Sequence, residues 1–141
     1  MRSPDSPLAA AASGHAMDLP RHLLWVDCAA AAAAGAAVLA LSGPLARLEG
    51  LPRGVLRFTG AVNLLYASGS FALARRRRRP AALVGTLAAA NVAWAPVCLG
   101  LAAALRRSAT PWGMAHLVGE AAFVGGLGAL EWHHRQRLAA P

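Results

Sequence analysis

Four long apolar stretches separated by short polar breaks organise the chain. The first covers residues 22–41 and meets Ser42-Gly43-Pro44, a sequence expected to stop a helix. The second, 54–74, lies between Pro52 and a block of arginines at 75–79. The third, 81–105, opens behind Pro80 and closes at Arg106-Arg107. The fourth, 112–132, follows Thr110-Pro111 and ends at His133-His134-Arg135. Apolar residues fill every face of these stretches, so none has the polar side that a water-soluble helix needs. Each is about 20 residues or slightly longer, enough for a helix to cross a hydrocarbon core of ~30 Å. The breaks are too short to join anything but antiparallel neighbours. The pattern predicts an all-α integral membrane four-helix bundle, up-down-up-down, within a single domain at 21–135. A disordered extension is expected at 1–20 and a tail at 136–141.

Composition sharpens this picture. Hydrophobic residues make up 57% of the chain and charged ones only 14%, against roughly 25% charged in soluble domains. The expected surroundings are the lipid bilayer. The net charge of +8 comes with no lysine at all. Such a basic balance can mark a nucleic-acid partner. Here the arginines flank apolar stretches, as topology signals do, and no nucleic-acid partner is expected. With the N-terminus inside, the inner segments carry Arg2, Arg21, the 75–79 block, Arg135 and Arg137; the outer ends carry Arg47, Arg53, Arg57, Arg106 and Arg107. The block decides the orientation, placing both termini in the cytoplasm of a bacterial inner membrane. Arg57 lies one turn inside the second stretch and can snorkel to the outer interface. Met17-Asp18-Leu19-Pro20-Arg21 would serve as a translation start, and intact mass decides between Met1 and Met17. Asp27, in the first stretch, argues against a cleaved signal peptide.

Polar side chains within the stretches need a partner or a purpose, because a central charge costs about 2.5–3.5 kcal/mol on insertion. At 1.5 Å per residue, Asn63 lies ~13 Å and Glu120 ~12 Å from the outer edge, with Asn91 ~15 Å from the inner edge. The three are expected to form one layer near the midplane. His116 precedes Glu120 by one helical turn on the same face. Asp27 lies ~8 Å from the inner edge, where it is expected to snorkel or meet Arg21 or the arginine block. The layer reads either as hydrogen-bonded glue between helices or as a proton or cation site at Glu120 with His116 as relay.

Other chemistries find little support. His22 and His116 differ by ~20 Å in depth and cannot share a haem. The adjacent His133 and His134 point about 100° apart on a helix, which makes a poor metal site. Cys28 and Cys98, ~16 Å apart in depth, exceed the Cα separation of about 7 Å that a disulfide permits. Neither a cofactor, a metal nor an enzymatic activity is expected. One internal echo stands out: Asn63-Leu64-Leu65-Tyr66-Ala67 and Asn91-Val92-Ala93-Trp94-Ala95 share an Asn-x-x-aromatic-Ala pattern on oppositely directed helices. Small residues crowd the second and fourth stretches, and pairs such as Ala122/Gly126 permit close helix approach.

Several short motifs lie along residues 22–135: Asp27, Gly43-Pro44-Leu45, Leu48-Glu49-Gly50-Leu51-Pro52, Arg57-Phe58-Thr59-Gly60, Asn91-Val92-Ala93-Trp94 and Glu131-Trp132. Together they resemble a family of small, uncharacterised bacterial inner-membrane proteins with four transmembrane helices. The chain departs from that pattern at Leu130-Glu131-Trp132, and at Glu120, where a neutral Gln is expected. The resemblance implies the architecture and no activity. The leading expectation is a non-enzymatic structural or accessory protein, alone, as a homo-oligomer or beside a membrane partner protein. The alternative is a small transporter or channel with a proton or cation site at Glu120.

Overall fold

A computed structural model of the chain describes residues 19–139. Among them it forms five helices and no strand: α1 Leu19–Ala40, α2 Ser42–Glu49, α3 Arg53–Ala74, α4 Ala81–Leu105 and α5 Pro111–Ala139. The expected extension lies outside the described residues up to 18; residues 19 and 20 already belong to α1.

Proline and alanine explain much of the layout. Alanine carries the highest helix propensity and fills α1. Pro52 and Pro80 hold extended backbone at the caps of α3 and α4, fixing where those helices begin. α1 ends at Ala40, ahead of Ser42-Gly43-Pro44, but these residues are more than a break: they open α2 after a single turn residue. Pro44 is tolerated because a first-turn N–H has no partner inside its own helix. Gly50 ends α2 in the left-handed region at φ 66°. It must be glycine, since a Cβ there would collide with the Ser108 carbonyl oxygen. The end expected at 132 for the last helix is corrected: α5 continues to Ala139. The apolar run ends near Trp132, but His133 to Arg137 contain no glycine or proline to break the backbone.

Three helices are long and apolar enough to cross a membrane: His22–Ala40 within α1, Ala81–Leu105 and Pro111–Ala139. α3 matches α1 in length at 22 residues, but carries Arg53, Arg57, Asn63, Tyr66, Ser68 and Ser70. α1 packs along α3, and α4 along α5, while contact between these two pairs is sparser. Gly35 and Gly60 bring α1 and α3 together; a Cβ on Gly35 would stand 2.8 Å from the Gly60 carbonyl oxygen. Gly128 does the same for α4 and α5, where a Cβ would stand 2.7 Å from the Ala88 carbonyl oxygen. Replacing Gly128 with leucine is expected to destabilise the fold by about 1–3 kcal/mol through overpacking. Thermal denaturation in detergent should show a clear downward shift. Gly119→Leu, where a Cβ meets nothing within 4 Å, should leave the transition in place.

The apolar core is divided. One cluster, Leu24, Leu73, Ala74, Val84 and Leu138, joins the ends of the four long helices on one side. The other, Val38, Leu51, Leu56, Ala102 and Leu117, fills the opposite end beneath α2. Between the clusters the helices meet through polar side chains. The outer faces, by contrast, expose large apolar residues, including Leu65 at 75% and Trp112 at 68%.

Candidate functional site

Two polar groups occupy the middle of the molecule. The first surrounds Glu120 on α5. Asn63 on α3 donates its amide N–H to Glu120 Oε1 at 3.1 Å, and Trp94 on α4 donates its indole N–H to the same oxygen at 2.9 Å. His116, one turn earlier on α5, places Nε2 3.5 Å from Glu120 Oε2. Its Nδ1 lies 2.9 Å from Oε2 of Glu49, the buried last residue of α2. Each imidazole nitrogen thus faces a carboxylate, and only the doubly protonated ring can donate to both. Thr110 fixes α2 against α5, donating its N–H to the Glu49 carbonyl and its hydroxyl to the Leu48 carbonyl, both at 2.8 Å.

The second group surrounds Asp27 on α1, which is only 3% exposed. The Tyr66 hydroxyl donates to Asp27 Oδ2 at 2.7 Å, and the Ser70 hydroxyl donates to the same oxygen at 3.0 Å. The Asn91 amide nitrogen lies 3.3 Å from Asp27 Oδ1, 2.8 Å from Tyr66 Oη and 3.2 Å from Glu131 Oε2. Two amide protons therefore serve three acceptors. Glu131 is fully buried, and its Oε1 has no hydrogen-bond partner. Side chains from all four long helices meet at this point.

The structure thus sorts the residues singled out from the sequence. Asn63, His116 and Glu120 come together. Asn91 does not join their layer; it lies with Asp27 one helical turn away from Trp94, the α4 residue that does reach Glu120. Depth counted along a helix cannot separate positions one turn, about 5.4 Å, apart. Nor does Asp27 meet the arginine block, its partners among the described residues being Tyr66, Ser70 and Asn91; the Arg21 side chain lies outside the described ones. The small residues around Cys28 and Ala67 let α1 and α3 approach closely, and the Asp27 carboxyl is enclosed by neutral donors. Tyr66, Ser70, Glu49 and Glu131 complete the groups without having been read as site residues. The internal echo pointed to Tyr66 and Trp94. Glu131 follows Glu120 by about three full turns, a spacing that returns to the same helix face.

The echo also acquires a geometric meaning. Asn63 of α3 and Trp94 of α4 both bind Glu120 on α5; Asn91 of α4 and Tyr66 of α3 both bind Asp27 on α1. Exchanging α3 with α4 and α1 with α5 interconverts the two sets. Each Asn stands one turn beyond a close helix contact, at Gly60 in α3 and Ala88 in α4.

A cavity of about 350 Å³ lies between the two groups, lined by Asp27, Asn63, Tyr66, Asn91 and Trp94 together with apolar side chains. A second, of about 380 Å³, adjoins Asn63, His116 and Glu120. Cys28 and Cys98 are free thiols buried in the packing. No group of three or more His, Cys, Asp or Glu side chains that could hold a metal ion occurs among the described residues. No family model, curated protein or solved structure matches the chain.

Proposed function

We propose that the chain is a multi-pass inner-membrane protein in which all four long helices cross the bilayer, with both termini and the arginine block cytoplasmic. Its function on this reading is transport, through buried carboxyls that bind protons or cations, without enzymatic chemistry or a cofactor. The apolar outer faces suit contact with lipid. α3 belongs among the spans because Asn63, Tyr66 and Ser70 turn toward α1 and α5, Ser68 is satisfied by the Leu64 carbonyl of its own helix, and exposed Arg57 lies close enough to the helix end to reach the interface.

The observation that carries the functional reading is the pair Asp27 and Glu131. Two carboxyls share one amide donor, one of their oxygens is buried without a partner, and the hydrogen bonds found among the described residues bring them no cationic side chain. Two like charges in an apolar interior repel strongly, so the pair is held stably when a proton or a cation lies between them. Ionisable groups inside a membrane mark ion paths for the same reason. The structural or accessory reading draws on a different observation, the mutual hydrogen bonding of Asn63, Trp94 and Glu120, which would fix helix register by itself.

Flux separates the two readings. In proteoliposomes under an imposed pH gradient, Glu131→Gln and Glu120→Gln are each expected to slow proton movement at least tenfold in protein that remains folded. Equal flux in either variant and the wild type would remove that carboxyl from any transport role.

A further inference from the structure

We infer that the cavity between the two carboxyl groups is a binding site for a small organic cation with an apolar body, such as a substituted ammonium ion. The inference deepens the transport reading and rests on it for its role, although binding itself can be measured without transport. At about 350 Å³, the cavity falls within the range of ligand pockets, roughly 300–1,000 Å³. Its place in the fold is equally suggestive, since it lies where contact between the α1–α3 pair and the α4–α5 pair is sparse.

The lining selects the ligand class. Asp27 contributes a carboxyl, Tyr66, Trp94 and Phe123 contribute aromatic rings, and no Arg, Lys or His lines the space. Apolar residues form most of the rest, so a sugar or another heavily hydroxylated molecule would lack hydrogen-bond partners. An anion would meet Asp27 with no compensating positive charge. A cation gains attraction from the carboxyl and from the electron-rich ring faces, both strengthened where water is excluded. Asn63 and Trp94 already donate to Glu120, and Tyr66 to Asp27. One hydrogen of Asn63 and those of Trp94 and Tyr66 are thus committed, which leaves aromatic faces and carboxyl oxygen as the main groups to meet a ligand. The exchange symmetry places a carboxyl beyond each end of the space, Asp27 on one side and Glu120 behind Asn63 and Trp94 on the other. A cation moving between them would leave one carboxyl for an equivalent one.

The test is isothermal titration of the full chain in detergent with phenyltrimethylammonium. The comparison ligands are tert-butylbenzene, its neutral counterpart of the same shape, and benzenesulfonate, an aromatic anion. The cation is expected to bind at least tenfold more tightly than the neutral molecule, and the anion not measurably. Asp27→Asn should remove that preference. Ala93→Phe, at an exposed cavity-lining position on α4, should fill the space and abolish binding without disturbing the buried packing. Equal binding of the neutral molecule, or cation binding unchanged in Ala93→Phe, would overturn the inference. Absent binding alongside Glu120-dependent proton flux would overturn the inference alone. Cation-selective binding without such flux would support the site and overturn the transport reading.

Discussion

Asn91→Leu is expected to destabilise the folded chain more than any other single change in the polar interior, by about 3 kcal/mol. Leucine is close to asparagine in size, so the packing of α4 against α5 should survive and the loss would be mainly polar. Asn91 is the only hydrogen-bond donor recorded to Glu131 among the described residues, and it also serves Asp27 and Tyr66. Without it both oxygens of a fully buried carboxyl are left without a partner, and an unsatisfied buried acceptor costs about 1–3 kcal/mol. Asn63→Leu should cost far less, near the ~0.6 kcal/mol typical of one interhelical hydrogen bond in a membrane. Glu120 keeps Trp94 and His116 in that variant. Unfolding with sodium dodecyl sulfate in mixed micelles ranks the two. A cost for Asn63→Leu equal to or above that for Asn91→Leu would show that the α4 amide is not the centre of the network.

His116→Ala should have the second large effect, on flux, accompanied by a loss of stability because buried Glu49 loses its side-chain partner. The imidazole joins Glu49, at the end of α2, to Glu120 in the interior. No other titratable side chain bridges those two carboxyls among the described residues, so removing the ring should slow proton movement at least tenfold. The partly buried ring adjoins a cavity of about 380 Å³, large enough to admit free imidazole. Imidazole in the buffer should therefore restore much of the lost rate, whereas pyrrole, a ring of the same size with no basic nitrogen to relay a proton, should not. Unchanged flux in His116→Ala would exclude the Glu49–His116–Glu120 route.

Helices could be read from this sequence more readily than the site. α4 runs over Ala81–Leu105, the limits suggested by Pro80 and Arg106, because a proline and a charge mark its ends in one dimension. α2 was obscured because Gly43 and Pro44 break a helix interior but are tolerated in a first turn. The end of α5 was misplaced because hydropathy records where apolar residues stop, not where the backbone stops being helical. The site required a third dimension. His116 and Glu120 could be paired from their spacing on one helix, but the separation of Asn91 from Glu120 depends on how α4 is rotated and placed beside α5. Glu131 stands one residue before the end expected for the last stretch, and the seven further helical residues of α5 place it deeper within its helix. The Asn-x-x-aromatic echo was present in the sequence throughout. Its meaning emerges only when each pair is seen to cross from α3 to α4 around a carboxyl.

The central claim is that the buried carboxyls work as binding groups and are not fixed glue. Infrared spectroscopy of the chain reconstituted in lipid, titrated from about pH 5 to 9 so as to cover the range in which perturbed carboxyls change state, addresses this most directly. The expected result is a protonated-carboxyl C=O band whose intensity changes with pH and falls in Asp27→Asn and Glu131→Gln. A carboxyl region unchanged across that range, in protein that remains folded, would contradict the account.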